Sequence, residues 1–209
     1  MSRLSLLITL ARPFYHSDDP AHDWAHVLRV ASNAEVLCKN EGIKSELVLA
    51  AVYCHDLVNL AKDHPDRKKA STLSAKAAER ILIKSGYNNE EIEIIKQAII
   101  EHSFSKGDKA SCLEAAIVQD SDRLDALGSI GILRCAAVNA KMNSKFYDPQ
   151  DPLAEARVLN DKDFMLDHYF VKLFKLPDLM NTKAAQILAI DRVEFMRNFV
   201  KQLMMEVRK

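Results

Sequence analysis

The stretch that most constrains this chain is a short apolar run with a polar end. Leu49, Ala50, Ala51, Val52, Tyr53 and Cys54 read as buried, and His55 and Asp56 close the run side by side before Leu57. Burying an imidazole and a carboxylate together is unfavourable unless something satisfies both. A metal ion is the simplest such partner, because neutral imidazole and carboxylate are both good ligands. A helix cap or a hydrogen-bonded core pair would satisfy them too, so the dipeptide alone leaves both readings open.

The fold around that run is expected to be all-α. Gly and Pro are scarce, at five and six of 209 residues. Alternating strand patterns are absent and helical periodicity recurs throughout. A first helix is expected over residues 2–11, stopped by Pro13, and a second from His22 or Asp23 to about Asn40, closed by Gly42. Ser45 is expected to cap a third that runs to His55-Asp56 and on towards Leu60. A basic loop around Pro65 follows, then a helix over 71–85 ended by Gly86. A fifth is capped by Asn88 or Asn89 and ends near His102. Ser111 and Glu114 have capping-box spacing and open a sixth. Gly128 interrupts that helix, and another continues over 130–142. An irregular stretch over 143–161 is long enough to suggest function. Helices over 164–174 and from Asn181 or Thr182 complete the chain.

Composition narrows the function classes. Lys plus Arg and Asp plus Glu both number 29, so the net charge is zero, which argues against a polyanion-coating protein. Nucleic acid is therefore not an expected partner. Cys38, Cys54, Cys112 and Cys135 are dispersed in apolar stretches without a CxxC pair, as in reduced cytoplasmic proteins. Neither a signal peptide nor a membrane span is apparent. The apolar first helix could mediate a homodimer or pack on its own domain.

Histidines and acids recur in a definite order: His22, Asp23 and His26, then His55-Asp56, then His102, then Asp120, Asp122 and Asp125. His22 and His26 share a helical face, as do Asp122 and Asp125, whereas Asp120 does not share the face of Asp122. The order His26, His55-Asp56, Asp122 resembles the HD-domain metal-dependent phosphohydrolases. Three segments narrow the likeness: His22-Asp23-Trp24-Ala25-His26-Val27-Leu28-Arg29-Val30, His102-Ser103-Phe104-Ser105, and Asp120-Ser121-Asp122-Arg123-Leu124-Asp125-Ala126-Leu127-Gly128. They resemble a branch of small bacterial HD hydrolases that includes nucleoside triphosphate pyrophosphohydrolases. His168-Tyr169-Phe170-Val171-Lys172-Leu173 resembles the same branch, although an acidic residue usually stands where Val171 is.

The resemblance covers nearly the whole chain. It implies one HD-type helical bundle over 1–209, with a metal-site core over about 20–130 and the helices of 131–209 packing on it. It makes His26, His55, Asp56 and Asp122 ligands of a divalent ion, manganese or magnesium first, with iron, cobalt or zinc as alternatives. The implied reaction is release of pyrophosphate from a nucleoside triphosphate. The alternatives are a phosphomonoesterase or phosphodiesterase, or a non-catalytic metal- and nucleotide-binding module. Asn59, where some HD enzymes carry an acid, keeps the module open and leaves the general base unassigned between Asp56, Asp125 and the metal.

Around this core, His22, Asp23, His102, Lys62, Arg123 and Lys172 are candidate substrate contacts, and Arg29 is a candidate phosphate ligand in the catalytic set. Each has a plainer reading. Asp23 fits a helix cap, His102 a helix-end dipole partner, Arg29 an exposed helical arginine, and Lys62 a solvated loop. Arg123 points about 100° away from Asp122 on the helix, which suits an ion pair with Asp120 instead.

Overall fold

The computed structural model describes residues 1–15, 22–60, 64–103, 107 and 109–207. Lys62, Phe104 and Ser105 fall outside them. The described residues are helical, without strands. One isolated parallel bridge joins Lys145 and Phe164. This is the all-α class expected from periodicity. The chain separates into two compact units, 1–122 and 123–209.

The first unit contains α1 (Arg3–Ala11), α2 (Trp24–Glu41), α3 (Glu46–Cys54), α4 (Ala70–Ser85), α5 (Asn89–Glu101) and most of α6 (Leu113–Asp125). Helices α4 and α5 pack together. Helix α3 lies against α2 and α5, and α1 against α3 and α4. So α1 spends its apolar face, Leu7 and Ala11, on its own unit. Val27, Val30, Leu37, Val52, Leu82 and Ile99 are among the fully buried residues of the core.

Local chemistry sets the ends of these helices. The Ser2 side chain accepts from the Ser5 N–H, and Asp23 does the same for His26. Asn88 and Glu91 form a reciprocal capping box on α5. Helix α2 ends on Gly42 at φ 69°, a left-handed conformation that a side chain would oppose.

Two boundaries differ from expectation. Helix α3 stops at Cys54, short of His55-Asp56. The His55 ring Nδ1 lies 2.7 Å from the Val52 carbonyl, and the His55 N–H turns to that same carbonyl. The pair therefore sits in a turn. Ser111 does not cap α6, which begins after Cys112. Its N–H and hydroxyl both donate to Glu101 Oε2, at 2.9 and 3.1 Å.

The second unit contains α7 (Gly128–Lys141), α8 (Met165–Val171), a 3₁₀ segment (Leu173–Leu179) and α9 (Lys183–Val207). Helix α8 ends earlier than the expected 164–174 because the 3₁₀ segment with Pro177 replaces its last turns. The long irregular stretch is ordered by polar contacts. Arg157 makes a bidentate pair with the buried Asp167, at 2.5 and 2.8 Å, and Asp151 accepts from the Glu155 and Ala156 amides.

Gly131, in the first turn of α7, has no room for a side chain. A Cβ there would lie 2.2 Å from the Ala126 carbonyl oxygen. Gly131→Ala is therefore expected to destabilise the protein by about 1–3 kcal/mol, the range for overpacking. Urea unfolding measures this, and an unchanged midpoint would contradict the packing described.

Candidate metal centre

Three helix termini of the first unit bring imidazoles together. Asp23 caps α2 by accepting from the His26 backbone N–H at 2.8 Å, which fixes His26 in the first turn. His55 follows the last residue of α3, and His102 follows the last residue of α5. Each of these two rings turns Nδ1 onto the carbonyl three residues back, Val52 at 2.7 Å and Ile99 at 2.6 Å. A carbonyl only accepts, so Nδ1 carries a proton in both rings; that leaves Nε2 of His55 as the ligating atom, while Nε2 of His102 faces Asp56.

Those Nε2 atoms converge with two carboxylates. His26 Nε2 and His55 Nε2 are 3.3 Å apart. Asp122 Oδ1 lies 3.6 Å from His26 Nε2, and Asp56 Oδ2 lies 3.6 Å from His55 Nε2. Asp56 Oδ1 lies 3.5 Å from His102 Nε2. One atom each from His26, His55 and Asp56 falls within a 4.8 Å cluster of the kind that holds an ion. Donors bound to a common ion at about 2.1 Å sit roughly 3–3.5 Å apart, so the spacing suits shared coordination. His26 and His55 are fully buried while Asp56 and Asp122 are partly open, so the carboxylate side of the cluster meets solvent.

Electrostatics favour the ligating forms. Burial pushes the His55 imidazole down to about 4, against the opposing charge of Asp56, so it is neutral at pH 7. Burial works to raise the Asp56 carboxyl, but the adjacent imidazoles of His55 and His102 outweigh it and hold Asp56 well below the usual range. For His102, burial is outweighed by the hydrogen bond and charge of Asp56, and its pKa rises.

Because the His55 pKa falls on folding, the unfolded chain binds that proton first as pH drops below 6.5. The stability from a neutral His55 is present above that point and lost between pH 6.5 and about 4. His102 acts oppositely. Its stability is present below pH 6.5 and lost as pH rises through its raised folded value. Metal-stripped protein is thus expected to be most stable near pH 6.5 and to weaken by about 3 kcal/mol towards pH 4. Urea midpoints in chelator report this. Midpoints that stay level or rise below pH 6 would contradict it.

Other expected site residues fall in two groups. The His22 ring lies 5.9 Å from that of His26, and Arg29 is half-buried one turn beyond His26. Asp23 acts as the helix cap. In the second unit, Asp125 is buried and paired with Arg134 at 2.8 Å. Arg123 donates to the Leu179 carbonyl at 2.6 Å, and Lys172 ends α8. His168 Nδ1 pairs with Asp161 Oδ2 at 2.8 Å. Asn59 is exposed and accepts from Arg67 at 3.0 Å. Lys62 lies outside the described residues.

Sequence reasoning passed over the supports of the centre. Asn33 Nδ2 donates to the Ser121 carbonyl at 3.1 Å, and Gln119 Nε2 to the Glu101 carbonyl at 2.8 Å. Both amides are buried. They tie α6, which carries Asp122, to the helices that carry His26 and His102. The signal was available: Asn33 is two turns beyond His26 on the same face, and Gln119 is one turn before Asp122.

Comparison with known proteins bears on the family and the fold. The HD-domain family profile matches residues 23–127. YpgQ of Bacillus subtilis, an uncharacterized protein, is 33% identical over 191 residues, covering 89% of this chain and 84% of its own. Its crystal structure in complex with ADP superposes with a TM-score of 0.77, at 28% identity, over 99% of this chain and 95% of that one. An HD-superfamily hydrolase from Bacillus thuringiensis is 31% identical, with a TM-score of 0.75, over 98% of this chain and 96% of its own. This chain belongs to the HD-domain family.

Proposed function

We propose that the protein is a divalent-metal-dependent phosphohydrolase acting on nucleotides, and that it releases pyrophosphate from a nucleoside triphosphate. The observation that carries this reading is the cluster of His26 Nε2, His55 Nε2 and the Asp56 carboxylate, with Asp122 Oδ1 3.6 Å from His26 Nε2. Two nitrogens and two carboxylates suit manganese or magnesium, with iron, cobalt and zinc compatible. The ADP complex of the relative YpgQ supports a nucleotide ligand.

When bound, a divalent ion supplies an acidified water and a polarised phosphoryl oxygen. The chain's own groups do the rest. Asp56 spans His55 and His102 with its two oxygens, so it can hold a water proton while it orients both rings. His102 faces Asp56 Oδ1 through Nε2 at 3.5 Å, so it helps to set the orientation of that carboxylate. His22 lies just before α2 with its ring 5.9 Å from that of His26, Arg29 follows one turn after His26, and both suit phosphate oxygens. The neutral overall charge suits recognition by such local groups better than by a broad basic surface.

One observation favours a second reading. Residue 59 is an asparagine whose side-chain oxygen accepts from Arg67, so it supplies no base, as a non-catalytic nucleotide-binding module would allow. Metal-stripped protein, reloaded singly with Mn, Mg, Co, Fe or Zn and offered nucleoside mono- and triphosphates, separates the readings. Pyrophosphate formed only with metal is the expected result. Orthophosphate alone would move the protein to the phosphatases. Nucleotide binding without turnover in every metal would favour the module.

A further inference from the structure

Tyr15 belongs to the 3₁₀ turn that follows α1, far in sequence from every residue of the centre. Its hydroxyl donates to the Tyr53 carbonyl at 3.1 Å, two residues before His55. Its ring centroid lies 5.5 Å from that of Trp24, the first residue of α2, two residues before His26. Trp24 in turn stacks on Tyr53, at 5.7 Å and 28° between planes. Three aromatic rings therefore join the start of the helix that holds His26 to the end of the helix that presents His55 and Asp56. Such stacking fixes geometry as well as burying apolar surface.

The need for this brace follows from the end of α3. Its last carbonyls have no helical partner, and the chain must leave the helix at His55 in one defined turn. The Val52 carbonyl receives the His55 ring, and the Tyr53 carbonyl receives Tyr15. Two neighbouring carbonyls are thus satisfied by side chains, one of which is itself a proposed ligand. The Tyr15 hydroxyl is deeply buried beside the Asp56 backbone amide and charge, and burial is the main cause of its raised pKa. A neutral phenol in that position donates one hydrogen bond without adding charge near Asp56.

We propose that Tyr15 is a positioning residue for the metal centre: its hydroxyl, braced by Trp24, holds the turn after α3 so that His55 and Asp56 face His26. The inference rests on the metal-site reading above. The test is cobalt binding by metal-stripped protein, followed in the visible spectrum, for wild type, Tyr15→Phe and Asp56→Ala. Tyr15→Phe keeps the ring on Trp24 and removes only the hydroxyl.

The expected result is a roughly 10- to 100-fold weaker affinity in Tyr15→Phe, the range for loss of a group that orients a ligand. Its d–d band should shift, while its metal-free melting temperature stays within a few degrees of wild type. A merely structural tyrosine would move the melting temperature and leave the spectrum alone. Wild-type affinity and spectrum in Tyr15→Phe would overturn the proposal, provided wild type binds cobalt and Asp56→Ala does not. If wild type fails to bind, the metal-site reading itself fails. Should Tyr15→Phe not fold, Trp24→Phe carries the same test: weakened binding supports the brace, and unchanged binding overturns it.

Discussion

Asp56→Ala is expected to abolish metal-dependent turnover while leaving helix content nearly intact. The carboxylate faces His55 Nε2 with one oxygen and His102 Nε2 with the other, at 3.6 and 3.5 Å. Its removal takes away a proposed ligand and the carboxylate that both Nε2 atoms face. The helices need it little, because Asp56 sits in the turn after α3 and not within an element. Its side chain is 17% exposed, so truncation leaves a wet gap and not a dry cavity. Phosphate or pyrophosphate release with and without metal, beside circular dichroism, makes the comparison. Full activity in the variant would remove Asp56, and with it the site, from the account.

Asp122→Ala and Asp120→Ala are expected to fail in different ways. Asp122 is 26% exposed and places Oδ1 3.6 Å from His26 Nε2. Its loss should weaken metal binding severely and cost little stability. Asp120, two residues earlier, is fully buried and engaged with its surroundings. Removing a buried polar group that its surroundings satisfy costs about 1–3 kcal/mol, so Asp120→Ala should mainly lower the melting temperature. Metal titration and thermal unfolding of both variants separate the effects. Weaker metal binding in folded Asp120→Ala than in Asp122→Ala would assign the ligand to the other aspartate.

The helical class and the caps at Asp23, Asn88 and Gly42 were legible in the sequence because each rests on short-range spacing, whereas the set His26, His55-Asp56, Asp122 came from the resemblance to the HD-domain family. The i, i+2 argument separated Asp120 from Asp122, and the structure buries the first and turns the second to His26. Less legible was what depends on contacts distant in the chain. Ser111 had capping-box spacing but is taken by Glu101, ten residues back, and that pairing leaves no periodic trace. The His55-Asp56 pair looked helical because its flanks are, yet a ring nitrogen captures the carbonyl that another turn would use. Tyr15 has no motif at all. Its role comes from a carbonyl 38 residues away, which only the folded chain brings near. Arg123 read as a partner for Asp120, yet it reaches the Leu179 carbonyl, 56 residues on.

The most direct measurement is manganese titrated into metal-stripped protein while pyrophosphate release from a nucleoside triphosphate is recorded alongside metal binding. No release is expected without metal, release should rise in step with the binding isotherm, and Asp56→Ala should show neither binding nor release. Release at the full rate in chelator, or saturated metal binding with no product, would contradict that expectation.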